Sequence, residues 1–210
     1  QKFTEDFSVF VESIGNIDGV QVDVPKIIFV SDNLIIETVA PGKSLRSQLE
    51  NGELSPAEVR AAKIAVLSTS IIGLLKYGYV HADLTLSNVF YDRPRNLVSF
   101  LDRGMHAYLS ESEQEACMDL MVGFQLKNKR LIRRACESLG WELPKDRSIQ
   151  FSGSFFENAE KLIQAITFSE TSVPDNLGSV AYAFFRLQSY IVGLTSHETE
   201  QISHVLNKYI

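Results

Sequence analysis

Apolar residues recur at helical spacing over the first fourteen positions of the chain. Such spacing predicts a short amphipathic helix with one face turned toward a core. The residues on that face are Phe3, Phe7, Phe10, Val11 and Ile14.

Two pairs of short β-rich runs predict two hairpins. Residues 24–30 and 34–40 are joined by Ser-Asp-Asn, a turn composition, and Pro-Gly ends the second run. Residues 88–91 and 97–101 are separated by Asp-Arg-Pro-Arg-Asn, which predicts a second hairpin.

The remaining pattern is helical, and one helix is marked at both ends. Ser55 caps it, Pro56 suits its first turn, Glu58 completes a capping box, and Gly78 stops it. Shorter or later helices are predicted over residues 44–49, 110–126, 128–139, 154–167, 176–193 and 197–209. The pattern therefore indicates an α+β fold, with a small β-containing part followed by a mostly helical body.

Composition narrows the class of protein. The chain has 210 residues, 45% of them hydrophobic and 22% charged, which suits one domain, or one lobe with part of another. A net charge of −6 argues against general nucleic-acid binding. No apolar run reaches the length of a membrane-spanning helix, and the two cysteines, Cys117 and Cys136, are interpreted as core thiols of a reducing compartment.

Polar residues with a defined spacing lie between the end of the long helix and the helical body. The segment 79–91 reads Y-V-H-A-D-L-T-L-S-N-V-F-Y, and L-D-R-G follows after the hairpin turn. Asp83 and Asn88 are five positions apart, and Asp102 comes 19 positions after Asp83. Protein kinases place a catalytic-loop aspartate, a metal-binding asparagine and a metal-binding aspartate in this order. Aspartate and asparagine are also common in ordinary turns, but the preceding helix and the hairpin favour a kinase-like loop.

Phosphoryl transfer explains why these residue types would be needed. The reaction requires alignment of the reactants and neutralisation of phosphate charge more than covalent help from the protein. Asp102 and Asn88 would hold Mg²⁺ ions on the phosphates, since Mg²⁺ prefers hard oxygen ligands. Asp83 would accept or orient the proton of the nucleophile. His81, the remaining candidate in the catalytic loop, is interpreted mainly as a structural residue that hydrogen-bonds near Asp102.

The same segments resemble the UbiB/ADCK family of atypical kinases. G-Y-V-H-A-D-L-T-L-S-N is similar to the family's G-F-F-H-A-D-P-H-P-G-N, and V-P-K-I-I and L-I-I-E-T-V-A-P-G-K-S-L resemble its strands before the hinge. L-D-R-G followed by L-S and a helix is similar to its L-D-F-G region. The resemblance covers about residues 5–140.

This resemblance implies a protein-kinase-like fold that binds ATP and Mg²⁺. It divides the chain into residues 1–41, a remnant of the N-lobe, and residues 42–210, a helical C-lobe with the catalytic-loop hairpin at 79–104. Glu5 lies near the family's helix glutamate, and Glu37 lies on the hinge strand, where backbone groups would face adenine. The family also implies a link to ubiquinone or other isoprenoid-lipid metabolism and a mitochondrial location, with plastids and bacterial cytoplasm as alternatives.

Several positions depart from the family pattern. Arg103 replaces the phenylalanine of D-F-G, Leu86-Ser87 replaces Pro-Gly, and Leu84-Thr85 replaces Pro-His. The family's ATP-gripping lysine and phosphate loop precede the matching residues and are not found in this sequence. Two hypotheses follow: an active kinase or ATPase using ATP and Mg²⁺, or a degenerate pseudokinase without a cofactor that serves as a structural or regulatory subunit. RIO kinases and aminoglycoside-type phosphotransferases share H-x-D-x-x-x-x-N, but the helix after Asp102 argues against both.

Two surfaces raise the question of partners. Basic residues cluster around the start of the helix at 128–139 and are interpreted as a solvated face, with an acidic protein or anionic lipid headgroups at a membrane surface as the alternative: Lys127, Lys129, Arg130, Arg133 and Arg134. Apolar residues of the last helices are interpreted as core, or in part as contacts to a protein that covers the N-lobe side: Phe155, Phe156, Phe184, Phe185, Leu187, Tyr190 and Ile191.

Overall fold

A long helix, a five-stranded sheet and several shorter helices make up the structure, which is a computed structural model. It describes residues 2–141, 158, 161–162, 164, 175–191 and 194–209. Within those residues the helices are α1 Lys2–Ile14, α2 Leu45–Glu50, α3 Pro56–Tyr77, α4 Glu111–Gln125, α5 Lys129–Ser138, α6 Asp175–Ile191 and α7 Ser196–Tyr209. The strands are β1 Asn16–Ile17, β2 Val20–Asp23, β3 Ile27–Ser31, β4 Leu34–Glu37, β5 Lys43–Ser44, β6 Tyr79–His81, β7 Val89–Asp92, β8 Leu97–Phe100 and β9 His106–Tyr108. The predicted α+β class is confirmed.

Helix α3 begins and ends where its sequence predicts. The Ser55 hydroxyl accepts a hydrogen bond from the Glu58 backbone N–H, and the Glu58 carboxylate accepts one from the Ser55 N–H. These two bonds satisfy donors that a helix N-terminus otherwise leaves free. Gly78 adopts the left-handed conformation, with φ of 63°, and ends the helix. Because α3 is buried over most of its length, it positions the loop that follows it.

The main sheet has the strand order β1-β2-β8-β7-β5. The hairpin of β7 and β8 was predicted, and Asn96 makes its tight turn with a positive φ of 48°. Strand β2 pairs in parallel with β8, with Val22 opposite Val98. Strands β1, β2 and β5 were not predicted, because they have only two to four residues and therefore show no clear alternation.

Two further pairs of strands lie outside that sheet. Strands β3 and β4 form the first predicted hairpin, but both are shorter than the predicted runs 24–30 and 34–40. Strand β6 pairs with β9 and so connects the end of α3 to the residues that follow Asp102. Large apolar side chains on and near the β3–β4 hairpin are exposed to solvent: Ile28, Phe29, Leu34, Ile35, Ile36 and Val39.

The first helix packs into the same core as the helical body. Phe10, Val11 and Ile14 of α1 are buried together with apolar residues of β2, α3, β7 and β8. Residues 10–24 therefore share a core with parts of the chain beyond residue 42. The division of the chain at residue 41 stays a prediction.

The later helices agree with the prediction where they are described. Helices α6 and α7 match the predicted ranges within about three residues, whereas the predicted helix at 154–167, with Phe155 and Phe156, lies almost wholly outside the described residues. Leu187 and Tyr190 of α6 are buried, and the side chains of Phe184, Phe185 and Ile191 lie outside the described part.

Three smaller predictions can also be compared with the structure. Cys117 and Cys136 are free and buried, and burial raises the pKa of both thiols to about 12, as suits core thiols. The basic cluster at 127–134 is exposed. Over the part of the chain that was described, no helix is long and apolar enough to cross a membrane.

Candidate functional site

A short loop between β6 and β7 holds two of the predicted site residues together. The backbone turns tightly here, since the Thr85 N–H donates to the Asp83 carbonyl and the Asn88 N–H to the Thr85 carbonyl, at 2.9 and 3.0 Å. The Asn88 side-chain amide donates to the Asp83 carbonyl oxygen at 2.9 Å and to the carboxylate oxygen Oδ2 at 3.1 Å. The five-residue spacing therefore lets Asn88 fix the position of Asp83, while its own Oδ1 stays available as an acceptor.

His81 connects this loop to the segment that carries Asp102. Its Nδ1 accepts a hydrogen bond from the Asp83 backbone N–H at 3.3 Å, so Nε2 carries the proton and donates to the Leu101 carbonyl at 3.0 Å. Burial lowers the pKa of His81, an effect that the charges of Asp83 and Asp102 oppose. An imidazole held at both nitrogens connects the loop to the Leu101–Asp102 segment, and the structural role of His81 stays a prediction.

Asp102 lies at the same end of the β7–β8 hairpin as Asn88. The pair Val89 and Phe100 belongs to the ladder, and the Leu101 N–H donates to the Asn88 carbonyl at 2.8 Å. Asp102 follows directly and is exposed, with a positive φ of 50°. Most non-glycine residues in this region cost about 1–2 kcal/mol, and aspartate and asparagine cost less because their short side chains can hydrogen-bond locally. Such strain is often found where a side chain must point in a functional direction.

The buried side chain of Arg103 anchors the turn that contains Asp102. Its side chain is only 3% exposed, and it forms an ion pair with Glu37 of β4. Its Nη2 also donates to the Pro25 carbonyl at 3.2 Å, and its Nη1 to the Ser8 hydroxyl of α1 at 3.5 Å. The apolar anchoring that a phenylalanine would provide is thus replaced by a buried cation that joins the turn to α1 and to the β3–β4 hairpin.

Of the two glutamates predicted at the nucleotide site, the structure describes the side chain of Glu37 but not that of Glu5. The carboxylate of Glu37 faces Arg103, so any contact of this strand with a base would involve its backbone. Glu5 lies in α1, and its side chain is outside the described part of the structure.

Helix α6 contributes two residues that the sequence analysis did not identify as site residues. Nε of Arg186 lies 3.5 Å from Oδ1 of Asp83. Tyr190, one turn further on, is buried and donates its hydroxyl proton to the Thr85 carbonyl at 2.9 Å. The sequence carries only a weak signal for these contacts, a Tyr182-Arg186-Tyr190 spacing along one helical face.

The donor set suits a hard cation with few protein ligands. Among the described residues, no group of three or more His, Cys, Asp or Glu side chains could enclose a metal ion. Asp102 and the Oδ1 atom of Asn88 offer two oxygen ligands at one end of the hairpin. Mg²⁺ is commonly held in this way, by one or two protein oxygens together with phosphate oxygens and water.

A comparison with models of known protein families shows which family the chain belongs to. The family model for the ABC1 atypical kinase-like domain matches residues 3–136, more than half of the chain. The chain belongs to the ABC1 atypical kinase-like family. The match is consistent with the predicted UbiB/ADCK resemblance, which is thereby confirmed, and its extent agrees with the predicted 5–140. No curated protein matches this ABC1-family chain. Arg186 and Tyr190 lie beyond the matched residues.

Proposed function

We propose that this ABC1-family chain binds Mg–ATP and transfers its terminal phosphoryl group to an oxygen acceptor. The acceptor is a hydroxyl group if the protein is a kinase and water if it is an ATPase. One observation carries the proposal: hydrogen bonds from Asn88 and His81 tie Asp83 and the Leu101–Asp102 turn to a single end of the β7–β8 hairpin.

Each of these residues has a task in the proposed reaction. Asp102 and Asn88 would hold Mg²⁺, which when bound neutralises charge on the phosphates. Asp83 would receive the proton of the acceptor while a new P–O bond forms. The bond from the terminal phosphorus to the β,γ-bridging oxygen breaks, and ADP leaves. His81 keeps Asp83 and Asp102 in register and takes no proton.

Family membership supports the remaining parts of the proposal. Adenine would lie against backbone groups of the strand that contains Glu37, and Glu5 would take the place of the family's helix glutamate. A link to ubiquinone or other isoprenoid-lipid metabolism and a mitochondrial location belong to the same proposal. The exposed basic cluster at 127–134 suits contact with anionic headgroups at a membrane surface.

A second candidate function is a pseudokinase that acts as a structural or regulatory subunit. The exposed apolar side chains of the β3–β4 hairpin favour it, because a protein partner would remove them from water. This candidate predicts no formation of ADP from Mg–ATP above background. It also predicts that Asp83→Asn changes neither nucleotide binding nor ADP formation.

Thermal unfolding with and without Mg–ATP tests nucleotide binding. A ligand at 100 times its Kd stabilises the native state by about 2.7 kcal/mol, which shifts the Tm of a chain of this size by about 5–10 °C. Asp102→Asn should abolish the shift, and asparagine tolerates the left-handed backbone at this position. Asp119→Asn is the matched control, since Asp119 pairs with Arg134 on the surface of α4 and α5.

The outcomes separate the two candidates. A Tm shift together with ADP formation that Asp83→Asn removes supports the kinase or ATPase, because transfer to a hydroxyl group and transfer to water both leave ADP. A Tm shift without ADP formation supports a nucleotide-binding pseudokinase. If Mg–ATP at millimolar concentration leaves the Tm of the wild-type chain unchanged, the proposal of nucleotide binding is wrong.

A further inference from the structure

Arg186 brings a positive charge from α6 to the loop aspartate. Its Nε lies 3.5 Å from Asp83 Oδ1, too far for a good hydrogen bond but within ion-pair distance. The two residues are more than one hundred positions apart in the sequence. The docking of α6 on the loop, where Tyr190 donates to the Thr85 carbonyl, brings them together.

The guanidinium group is held in place by its own helix. Nη2 of Arg186 donates to the Tyr182 hydroxyl, and the guanidinium carbon lies 4.6 Å from the centre of the Tyr182 ring. This stacking limits the conformations open to the arginine, so less entropy is lost when it binds an anion. The side chain is 34% exposed, so part of it remains accessible from solvent.

One donor of this arginine is buried and has only the long ion-pair contact with Asp83. The Nε atom is shielded from water and makes no hydrogen bond. A buried N–H of a charged group without an acceptor costs free energy, so native proteins rarely retain one unless another group completes it. This donor lies beside the carboxylate that accepts the proton in the proposed reaction.

The loop that follows Asp83 has no cationic side chain. The four residues after Asp83 are Leu84, Thr85, Leu86 and Ser87, and Arg103 is committed to Glu37 and Pro25. Transfer of a phosphoryl group concentrates negative charge on the terminal phosphate, and a positioned arginine is suited to stabilise it.

We propose that Arg186 is a phosphate-binding residue that contacts the terminal phosphate of the bound nucleotide. The inference rests on the proposed function, because Asp83 receives the acceptor proton and so must lie beside the phosphoryl group that is transferred. An arginine in contact with Asp83 is then next to that group. Its planar fork can donate two hydrogen bonds to phosphate oxygens, which a lysine cannot.

The test compares nucleotides that differ by this phosphate. Calorimetric titration of Arg186→Met with Mg–ATP should give a Kd about tenfold or more above that of the wild type, the fold-change expected for losing charged hydrogen bonds. The Kd for Mg–ADP should change by less than about twofold. Arg186→Lys should fall between wild type and Arg186→Met for Mg–ATP. Arg60→Met is the matched control, since Arg60 forms a partly exposed ion pair with Glu198 elsewhere, and both its Kd values should stay at the wild-type values.

Equal weakening of ATP and ADP binding, or no weakening of either, overturns the inference while leaving nucleotide binding intact. If Arg186→Met does not fold by circular dichroism, Arg186→Lys carries the same comparison, because it keeps the charge but loses the fork. If the wild type binds neither nucleotide, the proposed function fails, and magnesium tripolyphosphate becomes the probe. Tripolyphosphate binding that Arg186→Met removes supports an anion site at Arg186. Equal or absent tripolyphosphate binding in both proteins overturns it.

Discussion

Replacing Glu37 by glutamine removes the charge that neutralises a buried guanidinium. The Arg103 side chain is 3% exposed and that of Glu37 is 31% exposed, so the cation has much less access to water than its partner. Breaking a fully buried ion pair by removing one member costs about 3–5 kcal/mol, and breaking an exposed one about 0–1 kcal/mol. We expect Glu37→Gln to lower the free energy of unfolding by about 2–3 kcal/mol, between these limits.

The reverse replacement should cost less. Arg103→Met removes the buried charge itself and leaves a carboxylate that can turn toward water, although the Pro25 carbonyl loses its donor. The expected loss is about 1–2 kcal/mol. Once Arg103 is gone, Glu37→Gln should have little further effect, so the double variant should resemble Arg103→Met and give a coupling energy of about 2 kcal/mol.

Urea unfolding followed by circular dichroism and by the fluorescence of the single tryptophan, Trp141, measures these values. Glu53→Gln is the matched control, because the Glu53 side chain is 34% exposed, about as much as that of Glu37, but its partner Lys43 is 63% exposed. We expect the free energy of unfolding of this variant to equal that of the wild type within experimental error. A loss below about 1 kcal/mol for Glu37→Gln, or full additivity in the double variant, would refute the reasoning that Arg103 is a buried cation in need of a counter-charge.

Three further predictions concern two glycines, a helix cap and a buried histidine. Gly52→Ala should lower the free energy of unfolding by about 1 kcal/mol, because Gly52 has a φ of 62° and lies in open space. Gly78→Ala should lower it roughly twice as much, because its new Cβ would also lie 2.6 Å from a backbone oxygen. Urea unfolding compares the two variants, and equal losses would contradict the packing argument. Ser55→Ala should cost about 1 kcal/mol and Ser55→Asp much less, since aspartate can cap the same N–H, a difference that Tm measurements will show. Burial lowers the pKa of His81, so on acidification the imidazole is protonated in the unfolded chain before it is protonated in the folded one. The free energy of unfolding should therefore fall as the pH drops below about 6.5, by up to about 1.4 kcal/mol per pH unit. Between pH 5 and 7.5 the free energy of unfolding should depend less steeply on pH for His81→Gln than for the wild type, and identical pH dependences for the two proteins would rule out His81 as the source.

Several features of the fold follow from a few neighbouring residues and were therefore predictable. The capping box at Ser55 and the left-handed glycine at Gly78 define α3, because helix ends depend on hydrogen bonds between residues close in sequence. The hairpin between β7 and β8 follows from its turn composition. The spacing of Asp83 and Asn88 predicted that these residues lie together, and the hydrogen bonds between them belong to one short turn.

Other features depend on contacts between distant residues and were not predicted. The parallel pairing of β2 with β8 joins segments about 75 positions apart, and a four-residue strand has too few positions to show a period. Arg103 was interpreted as the loss of an apolar anchor, whereas the structure surrounds it with Glu37, Pro25 and Ser8 from three other segments.

The sequence by itself determined the α+β class, the family, and the order and spacing of Asp83, Asn88 and Asp102, because these depend on local periodicity, caps and motifs. Only the tertiary structure decided that Arg103 pairs with Glu37 and that Arg186 reaches Asp83. The physical reason is that an ion pair depends on distances of a few ångströms and on exclusion of water. Both are set by how whole helices and strands pack, which no short stretch of sequence specifies.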